Sequence, residues 1–365
     1  MTFSAHDYQY MSRAIELAKR GLYTTHPNPR VGCVLVNEGR VVGEGWHERA
    51  GAAHAEINAL KAAGDKAKGA TAYVTLEPCC HYGRTPPCSE ALIQAGITRV
   101  VAAMQDPNVK VAGKGLLQLQ AAGIETAVGL LAAEAEALNP GFVKRMRRGR
   151  PYVRAKMAMS LDGRTAMASG ESAWITGEAA RQDVQHWRAR ADCIMTGIGT
   201  VLQDDPRLNV RLPGFDRQPL RVVVDSTLRM RADCTLLAQA GKTLVFTCAA
   251  DATLANAEVE TVAAIQGRVD LGAVLDSLAR RDINEVHLEC GATLSGAMLQ
   301  AGLIDELVIY MAPVLLGDAG RGLFHLPGLE RMADRLPLEI FEQRQVGRDW
   351  RLRARVVSAA DAGPA

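Results

Sequence analysis

Aromatic residues make up only 5% of the 365-residue chain, and neither sign of charge is in surplus: 42 Lys and Arg against 40 Asp and Glu leave a net charge of +2. A surface dedicated to nucleic acid carries a basic excess and aromatic rings for stacking. The shortage of both argues against a nucleic-acid partner and leaves room for a local cationic patch that takes a phosphorylated small molecule. Also absent is any apolar run of the roughly 18 or more residues that a membrane-spanning helix needs, so no membrane partner is expected. Residues 1–17 lack the basic stretch and apolar core of a secretory leader, and the expected location is the cytoplasm.

Apolar content of 48% and charged content of 22% are those of an ordinary soluble enzyme, and the length allows two domains. Cysteine is not scarce, with eight residues. In a reducing compartment these are not expected to form disulfides. Cys33, Cys193, Cys234, Cys248 and Cys290 read as small buried hydrophobes.

The other three cysteines fall in the most informative stretch. His54-Ala55-Glu56 is followed, after one predicted helix and one predicted strand, by Pro78-Cys79 and then by Cys88. A structural zinc is closed by four ligands, whereas a catalytic zinc has three and keeps a position for water, whose pKa it lowers to about 7. His54, Cys79 and Cys88 supply three, and Glu56 then serves as the proton carrier beside the metal. Residues two apart face opposite sides of a helix, so His54 and Glu56 can share a metal only in the first turn or just before it. Cys80 and His81 are spare donors, and chemistry alone does not choose Cys79 over Cys80. The competing reading is a structural zinc, or two unconnected thiols.

Hydrophobic spacing predicts a helix over 7–20, a hairpin of strands over 31–36 and 41–46, a helix over 53–63 and a strand over 71–76 that delivers Cys79. Ser89 is a predicted N-cap for a helix over 90–95, which places Cys88 where a thiol ionises readily. Strand, helix, strand and helix follow at 99–104, 113–122, 124–128 and 131–138. This alternation predicts an α/β layer with helices on both faces. His47, directly after Trp46, could reach the site, although a lone histidine reads first as a polar loop residue. The basic residues 144–150 and the breaker Pro151 read as a solvated helix end and a linker.

In the second half, strands are predicted over 152–159, 192–197, 220–225, 283–289, 303–312, 336–341 and 350–357, with helices over 177–188 and 293–301. A disordered tail is expected over 358–365. Arg207 and Arg211 suit forked contacts with phosphate. The turn from Glu289 to Gly296 joins a strand to a helix and has the form of an anion site. It is neither a phosphate-binding Walker loop nor the Rossmann glycine fingerprint.

His54-Ala55-Glu56, Thr75-Leu76-Glu77-Pro78-Cys79 and the eight-residue gap before Cys88 resemble the deaminase half of the bifunctional riboflavin-biosynthesis deaminase/reductase family. His26-Pro27-Asn28-Pro29-Arg30-Val31-Gly32 and Gly83-Arg84-Thr85-Pro86-Pro87-Cys88 fit the same family, and the wide gap separates it from tRNA and cytidine deaminases. Ser160-Leu161-Asp162-Gly163 with Ser172-Ala173-Trp174-Ile175-Thr176 resembles the start of a reductase of the dihydrofolate-reductase fold, so the resemblance covers nearly the whole chain.

The resemblance implies an α/β fold class in two parts: an N-terminal cytidine-deaminase-like three-layer α/β/α domain over 1–146 with zinc, and a C-terminal dihydrofolate-reductase-like α/β domain over 147–365 with NADPH. It gives catalysis to Glu56, the Zn2+ to His54, Cys79 and Cys88, and a hydrogen bond to the pyrimidine ring to Asn28. NADPH falls to Ala158, Trp174, Thr200, Asp204, Ser226 and the run Gly291, Ala292, Thr293, Leu294, Ser295, Gly296 and Ala297. The sugar-phosphate substrate falls to Ser172, Arg188, Leu208, Arg211 and Glu289. Arg188 and Arg211 are the natural phosphate contacts, and no protein acid for the hydride step is evident. The implied substrate is a phosphorylated pyrimidine, deaminated and then reduced, and the implied assembly is a homo-oligomer.

Overall fold

Ser4 and Asp7 start the first helix, α1 (Ala5–Lys19), with a reciprocal capping box: the Asp7 N–H donates to Ser4 Oγ at 3.2 Å, and the Ser4 N–H donates to Asp7 Oδ2 at 2.8 Å. In this computed structural model residues 2–82, 86–109 and 111–357 are described. The expected disordered tail and the first three residues of the Gly83–Cys88 motif lie outside them. The chain divides between Arg150 and Pro151 into two compact units.

In the first unit the order is α1, β1 (Gly32–Asn37), β2 (Arg40–Trp46), α2 (Ala55–Ala63), β3 (Thr71–Val74), α3 (Cys88–Gln94), β4 (Arg99–Ala102), α4 (Lys114–Ala121), β5 (Glu125–Val128), α5 (Ala132–Leu138) and α6 (Pro140–Arg148). The sheet order is β2-β1-β3-β4-β5, antiparallel across β2, β1 and β3 and parallel from β3 to β5. Strand β1 is apolar from Gly32 to Val36 because both its faces are covered. Val34 and Val36 join a cluster with Met11 and Leu17 of α1 and Leu138 and Val143 of α5 and α6. Cys33 and Leu35 face Ala55 and Ala59 of α2, Leu92 of α3 and Leu119 of α4. Gly45 is needed where α2 lies on β2, since a Cβ there would stand 2.4 Å from the Ala55 carbonyl oxygen. The basic stretch expected as a helix end and linker is mostly the helix α6, with Pro140 at its first turn. The expected boundary after residue 146 falls inside this helix.

Asp7 also ties α1 to the sheet. Its Oδ1 accepts from Tyr73 Oη and from Arg99 Nη1, each at 2.7 Å. Burial opposes ionisation of this carboxyl, but the Arg99, Tyr73 and Ser4 hydrogen bonds outweigh it and hold the pKa well below the ordinary aspartate range. A depressed folded pKa gives stability that is present above the unfolded value of about 3.9 and is lost as pH falls below it. The Asp7→Asn variant is expected to lose about 2 kcal/mol of protection in α1 at pH 7, the scale of hydrogen bonds to a charged group. The deficit shrinks below about pH 4. Hydrogen exchange of peptides over residues 5–19 at the two pH values measures it, and equal protection in variant and parent at pH 7 would refute the account.

The second unit runs β6 (Tyr152–Ser160), β7 (Arg164–Ala166), α7 (Glu178–Arg190), β8 (Cys193–Gly197), α8 (Ile198–Asp204), β9 (Leu220–Val224), β10 (Thr243–Thr247), β11 (Glu258–Thr261), β12 (Ala264–Ile265), β13 (Arg268–Val269), α9 (Leu271–Arg280), β14 (Glu285–Leu288), α10 (Ala292–Gln300), β15 (Glu306–Ala312), β16 (Arg321–Gly322), β17 (Leu338–Val346) and β18 (Asp349–Val356). Nine strands form one sheet in the order β11-β10-β9-β8-β14-β6-β15-β18-β17. It is parallel from β11 to β15, with β18 and β17 antiparallel at one edge. Strand order reverses between β8 and β14, and ligands of open α/β sheets bind beyond the carboxyl ends of strands at such a point.

Alternation decides the two faces. Val153, Ala155 and Met157 of β6 and Val286 and Leu288 of β14 enter the apolar core with Phe246, Leu275 and Met298. Arg154 and Lys156 of β6, and Glu285 and His287 of β14, alternate with them and so stand on the other face.

Candidate functional site

The first site begins where α2 begins. His54 is its N-cap, with extended backbone (φ −72°, ψ 164°), so its side chain leaves before the helix turns, while Glu56 sits buried in the first turn. This removes the difficulty of two residues spaced by two. Cys79 follows β3 and Pro78 in a segment fixed by Glu77. The buried Glu77 carboxylate accepts from the N–H groups of Asp106 (3.0 Å), Gly113 (2.8 Å), Gly115 (3.0 Å) and Leu116 (3.3 Å). A single carboxylate thereby closes the start of α4 onto the cysteine loop.

Cys88 is the first residue of α3, preceded by Pro87, so the helix starts earlier than expected and Ser89 is not its cap. The Ser89 N–H instead donates to the Cys79 carbonyl at 3.1 Å, which brings the two cysteine segments together. His54 Nδ1 lies 3.3 Å from Cys88 Sγ and 3.6 Å from Cys79 Sγ. The three donor atoms all lie within 4.8 Å of one another, and Cys80 and His81 are not among them. Tetrahedral zinc with bonds near 2.0–2.3 Å holds its ligands about 3.5–3.8 Å apart, so the residues present fit that metal with little movement.

The thiols do not share charge equally. The Cys88 hydrogen bond and the nearby His54 draw the Cys79 thiol down to about 4 against the cost of burial. Cys88, as the donor to Cys79 and under burial, is pushed up. The helix N-terminus at Cys88 therefore does not make it the more acidic of the two thiols. Burial, and then the negative Cys79, raise the Glu56 carboxyl to about 7. That value suits a group that must both take and give a proton near neutrality.

His47 is not a solvated loop residue. It is buried, with its ring edge-on to His54 at 5.4 Å between centroids. Its Nδ1 is 3.0 Å from the Ala53 carbonyl and its Nε2 is 3.1 Å from Asn28 Nδ2. A carbonyl only accepts, so Nδ1 carries the proton and Nε2 accepts from the Asn28 amide. Asn28 thus stands near the donor cluster, held through His47. All eight cysteines are free thiols. Of the five read as buried hydrophobes, Cys33 and Cys193 are buried, whereas Cys234, Cys248 and Cys290 are only half-buried because each sits in or beside a loop.

The second unit holds two cavities at the carboxyl ends of its parallel strands. The first, about 750 Å³, is lined by residues 197–200 after β8, by Ser226 and Arg229 after β9, and by Gly291–Leu294 and Ala297 at the start of α10. The second, about 630 Å³, contains Ala158, Ser172, Trp174, Arg188, Asp204, Leu208, Arg211 and Glu289. Thr200, Gln203, Gly291, Ala292 and Arg321 line both, so the cavities adjoin.

Two expected residues stand apart from the lining. Ser295 is buried with its hydroxyl donating to the Gly291 carbonyl at 2.8 Å, and a Cβ on Gly296 would meet the His325 carbonyl oxygen at 2.0 Å. Both face the inside of α10 and shape the turn rather than reach the cavity. Arg188 is fully engaged. Its Nε and Nη2 donate to Glu289 at 2.5 and 2.9 Å, and its Nη1 donates to the Asn209 carbonyl at 3.0 Å. Burial alone would raise the Glu289 carboxyl, yet Arg188 holds it well below its ordinary range. Besides Arg188, the cations lining the second cavity are Lys156, Arg181, Arg207, Arg211 and Arg321. Arg181 donates to the Thr176 carbonyl and Arg321 to Gln203, which leaves Lys156, Arg207 and Arg211 as the groups nearest in role to a phosphate or carbonyl contact. Burial pushes the Lys156 ammonium down against the opposing charge of Glu289, and sequence reading did not single this residue out. Its signal was the alternation of β6, which puts it on one face with Arg154 and Ala158. Leu208 lines the same cavity in the left-handed region (φ +46°), a conformation that costs a branched side chain about 1–3 kcal/mol and that clusters at binding sites.

A three-donor cluster with a buried carboxylate, in one α/β unit, is the arrangement of a zinc deaminase of the cytidine-deaminase class, and the adjoining cavities at the strand ends of the other have room for a dinucleotide beside a second small molecule. Residues 4–104 match the cytidine and deoxycytidylate deaminase zinc-binding region, and residues 151–352 match the RibD C-terminal domain. The chain is 53% identical over 357 residues to the riboflavin biosynthesis protein RibD of Escherichia coli, covering 94% of this chain and 97% of that one. It is 50% identical to RibD of Haemophilus influenzae, covering 96% and 98%. A solved structure of Acinetobacter baumannii RibD superposes with a TM-score of 0.90 at 48% identity, covering 97% of this chain and 99% of that one. The diaminohydroxyphosphoribosylaminopyrimidine deaminase/5-amino-6-(5-phosphoribosylamino)uracil reductase of Thermotoga maritima gives 0.88 at 32% identity, covering 96% and 99%. The chain belongs to the RibD family of bifunctional riboflavin-biosynthesis enzymes, a zinc-binding deaminase joined to an NADPH-dependent reductase.

Proposed function

We propose that the first unit hydrolyses the 2-amino group of 2,5-diamino-6-ribosylamino-4(3H)-pyrimidinone 5′-phosphate, and that the second reduces the ribosyl chain of the product to give 5-amino-6-ribitylaminouracil 5′-phosphate. The observation that carries the reading is the His54, Cys79 and Cys88 cluster with the readily protonated Glu56 against it. When bound there, zinc supplies an acidified water as nucleophile. Glu56 would take a proton from the attacking water and deliver it to the departing nitrogen, without which the amine does not leave. Asn28, fixed through His47, turns its amide oxygen away from Nε2 and so offers an acceptor for the N–H groups of the pyrimidine.

In the second unit NADPH supplies the hydride. Lys156 donates a hydrogen bond or proton to the open-chain carbonyl oxygen, and the anionic Glu289 orders the sugar hydroxyls. Arg207 and Arg211 take the phosphate, since Arg188 is committed to Glu289. Trp174, largely exposed at the cavity edge, is steadied by Arg181, 4.9 Å above its ring, and borders the cofactor. Ala158, Thr200, Asp204, Ser226 and the start of α10 complete that border. No described helix is long and apolar enough to cross a membrane, which is compatible with the cytoplasmic location we propose. A homo-oligomer is also proposed, and native mass spectrometry reads it directly.

Product mass spectrometry with the diaminopyrimidinone ribotide tests the whole reading. The amino-to-oxo change is expected without NADPH and the gain of hydride only with it. Absence of both in the zinc-loaded protein would overturn it. The Arg211→Ala variant is expected to raise KM for the phosphorylated substrate about tenfold or more, the worth of a charge-assisted pair, with the affinity for NADPH little changed. An unchanged KM would remove Arg211 from the phosphate site.

A further inference from the structure

We propose that Arg229 and Arg268 form the clamp that selects a dinucleotide bearing a 2′-phosphate on its adenosine ribose. The inference rests on the NADPH reading of this unit and assigns the side chains that separate NADPH from NADH. The first cavity extends from the start of α10 across the ends of β8 and β9, away from the second cavity and its substrate groups. With phosphates at the α10 N-terminus, where free N–H groups face outward, the adenosine end occupies the β9 side.

Two separate elements furnish that side. The first is the loop after β9. Asp225 is the acidic residue that directly follows β9. It is fully buried, and its Oδ2 accepts from the Met230 N–H at 2.8 Å. The Leu228 N–H donates to the Asp225 carbonyl at 3.2 Å, and Leu228 adopts φ +51°. The loop is thereby closed around Asp225, and Thr227 and Arg229 are left exposed on the cavity.

The second element is the β12–β13 hairpin. Gln266 and Gly267 both have positive φ (51° and 72°), the pattern of a two-residue type I′ turn, and Arg268 follows directly. The Val269 N–H donates to Ser226 Oγ at 3.1 Å and fastens the hairpin to the β9 loop. Ser226 Oγ accepts that bond, so its own proton is available to a ligand.

The result is one cavity end with two guanidinium groups and the hydroxyls of Ser226 and Thr227. Among the described residues, neither the Arg229 nor the Arg268 side chain makes a hydrogen bond or an ion pair, and no carboxylate lines this cavity. Arg321, its other cation, lies instead at the junction with the second cavity and donates to Gln203 at 3.4 Å. Two uncommitted planar forks without a neighbouring carboxylate match a phosphate dianion and give a neutral 2′-hydroxyl no preference.

Calorimetric titration of the full-length protein with 2′,5′-ADP and with 5′-ADP tests the clamp without turnover. The parent protein is expected to bind 2′,5′-ADP at least about tenfold more tightly than 5′-ADP. Arg229→Ala and Arg268→Ala should each weaken 2′,5′-ADP by about tenfold, as expected for loss of a charge-assisted bond. Binding of 5′-ADP should move less than about twofold, which also reports that these surface variants are folded. The ratio of NADPH to NADH KM should fall in parallel. A double variant that keeps parental affinity for 2′,5′-ADP overturns the clamp and leaves the dinucleotide reading intact, as does a parent protein that binds the two nucleotides equally. A parent protein that binds neither nucleotide overturns the dinucleotide reading itself and the clamp with it.

Discussion

Glu56→Gln is expected to lower deamination by about 10³-fold or more while zinc stays bound, because general acid–base catalysis contributes roughly 10²–10⁴ and this residue serves both proton transfers. Gln keeps the size of the side chain but has no proton to exchange. With His54, Cys79 and Cys88 as the proposed metal donors, metal content by mass spectrometry should match the parent. The reductase activity of the same variant, supplied with the deaminated substrate, should also be unchanged, since its cavities lie wholly within the second unit. Deamination within about tenfold of the parent would remove Glu56 from the proton path. Loss of zinc would instead make it part of the metal shell.

Arg154→Met is expected to destabilise the second unit by about 3–5 kcal/mol, the usual cost of removing one partner from a buried ion pair. Arg154 is 1% exposed and bonds Glu285 through Nη1 and Glu306 through Nε, each at 3.0 Å. Trp187 lies 5.0 Å from its guanidinium and Tyr152 lies 5.3 Å from it. Arg190 and Arg353 also reach these carboxylates, at 2.9 and 2.6 Å, but from the rim. Without Arg154 two acids are left buried under α7 with only partial compensation. Hydrogen exchange over residues 151–357 should rise strongly, NADPH-dependent reduction should fall, and deamination should persist, because the first unit has its own cores. Unaltered exchange in β6, β14 and β15 would show that the charge layer is dispensable for stability.

Most of the first unit is legible in the sequence. Its strands are short apolar runs and its helices carry simple periodicity, so residue type alone sets their order. Boundaries moved by a few residues where a tertiary contact decided them. Ser89 looks like an N-cap by type, yet its N–H is taken by the Cys79 carbonyl, and the helix opens at Cys88. In the second unit the span from 226 to 282 gave no helix or strand, although it holds β10, β11, a hairpin and α9. The hairpin rests on a two-residue turn with positive φ at Gln266, a residue that does not advertise that conformation.

What the sequence by itself determined is the chemistry available: one His, two Cys and one Glu in zinc-site order, a strand-to-helix turn for an anion, and strands alternating with helices. These follow from residue type and near-neighbour spacing. Only the tertiary structure decided how the groups behave. It chose Cys79 over Cys80 by where the loop fastened by Glu77 points, and it made Cys79 the readily ionised thiol through Cys88 and His54. It buried His47 against Asn28, bound Arg188 to Glu289, lowered Lys156 by burial, and joined Arg229 to Arg268 in one cavity. Each of these depends on burial or on contact between segments far apart in the chain. Desolvation and long-range approach exist only once the chain has folded.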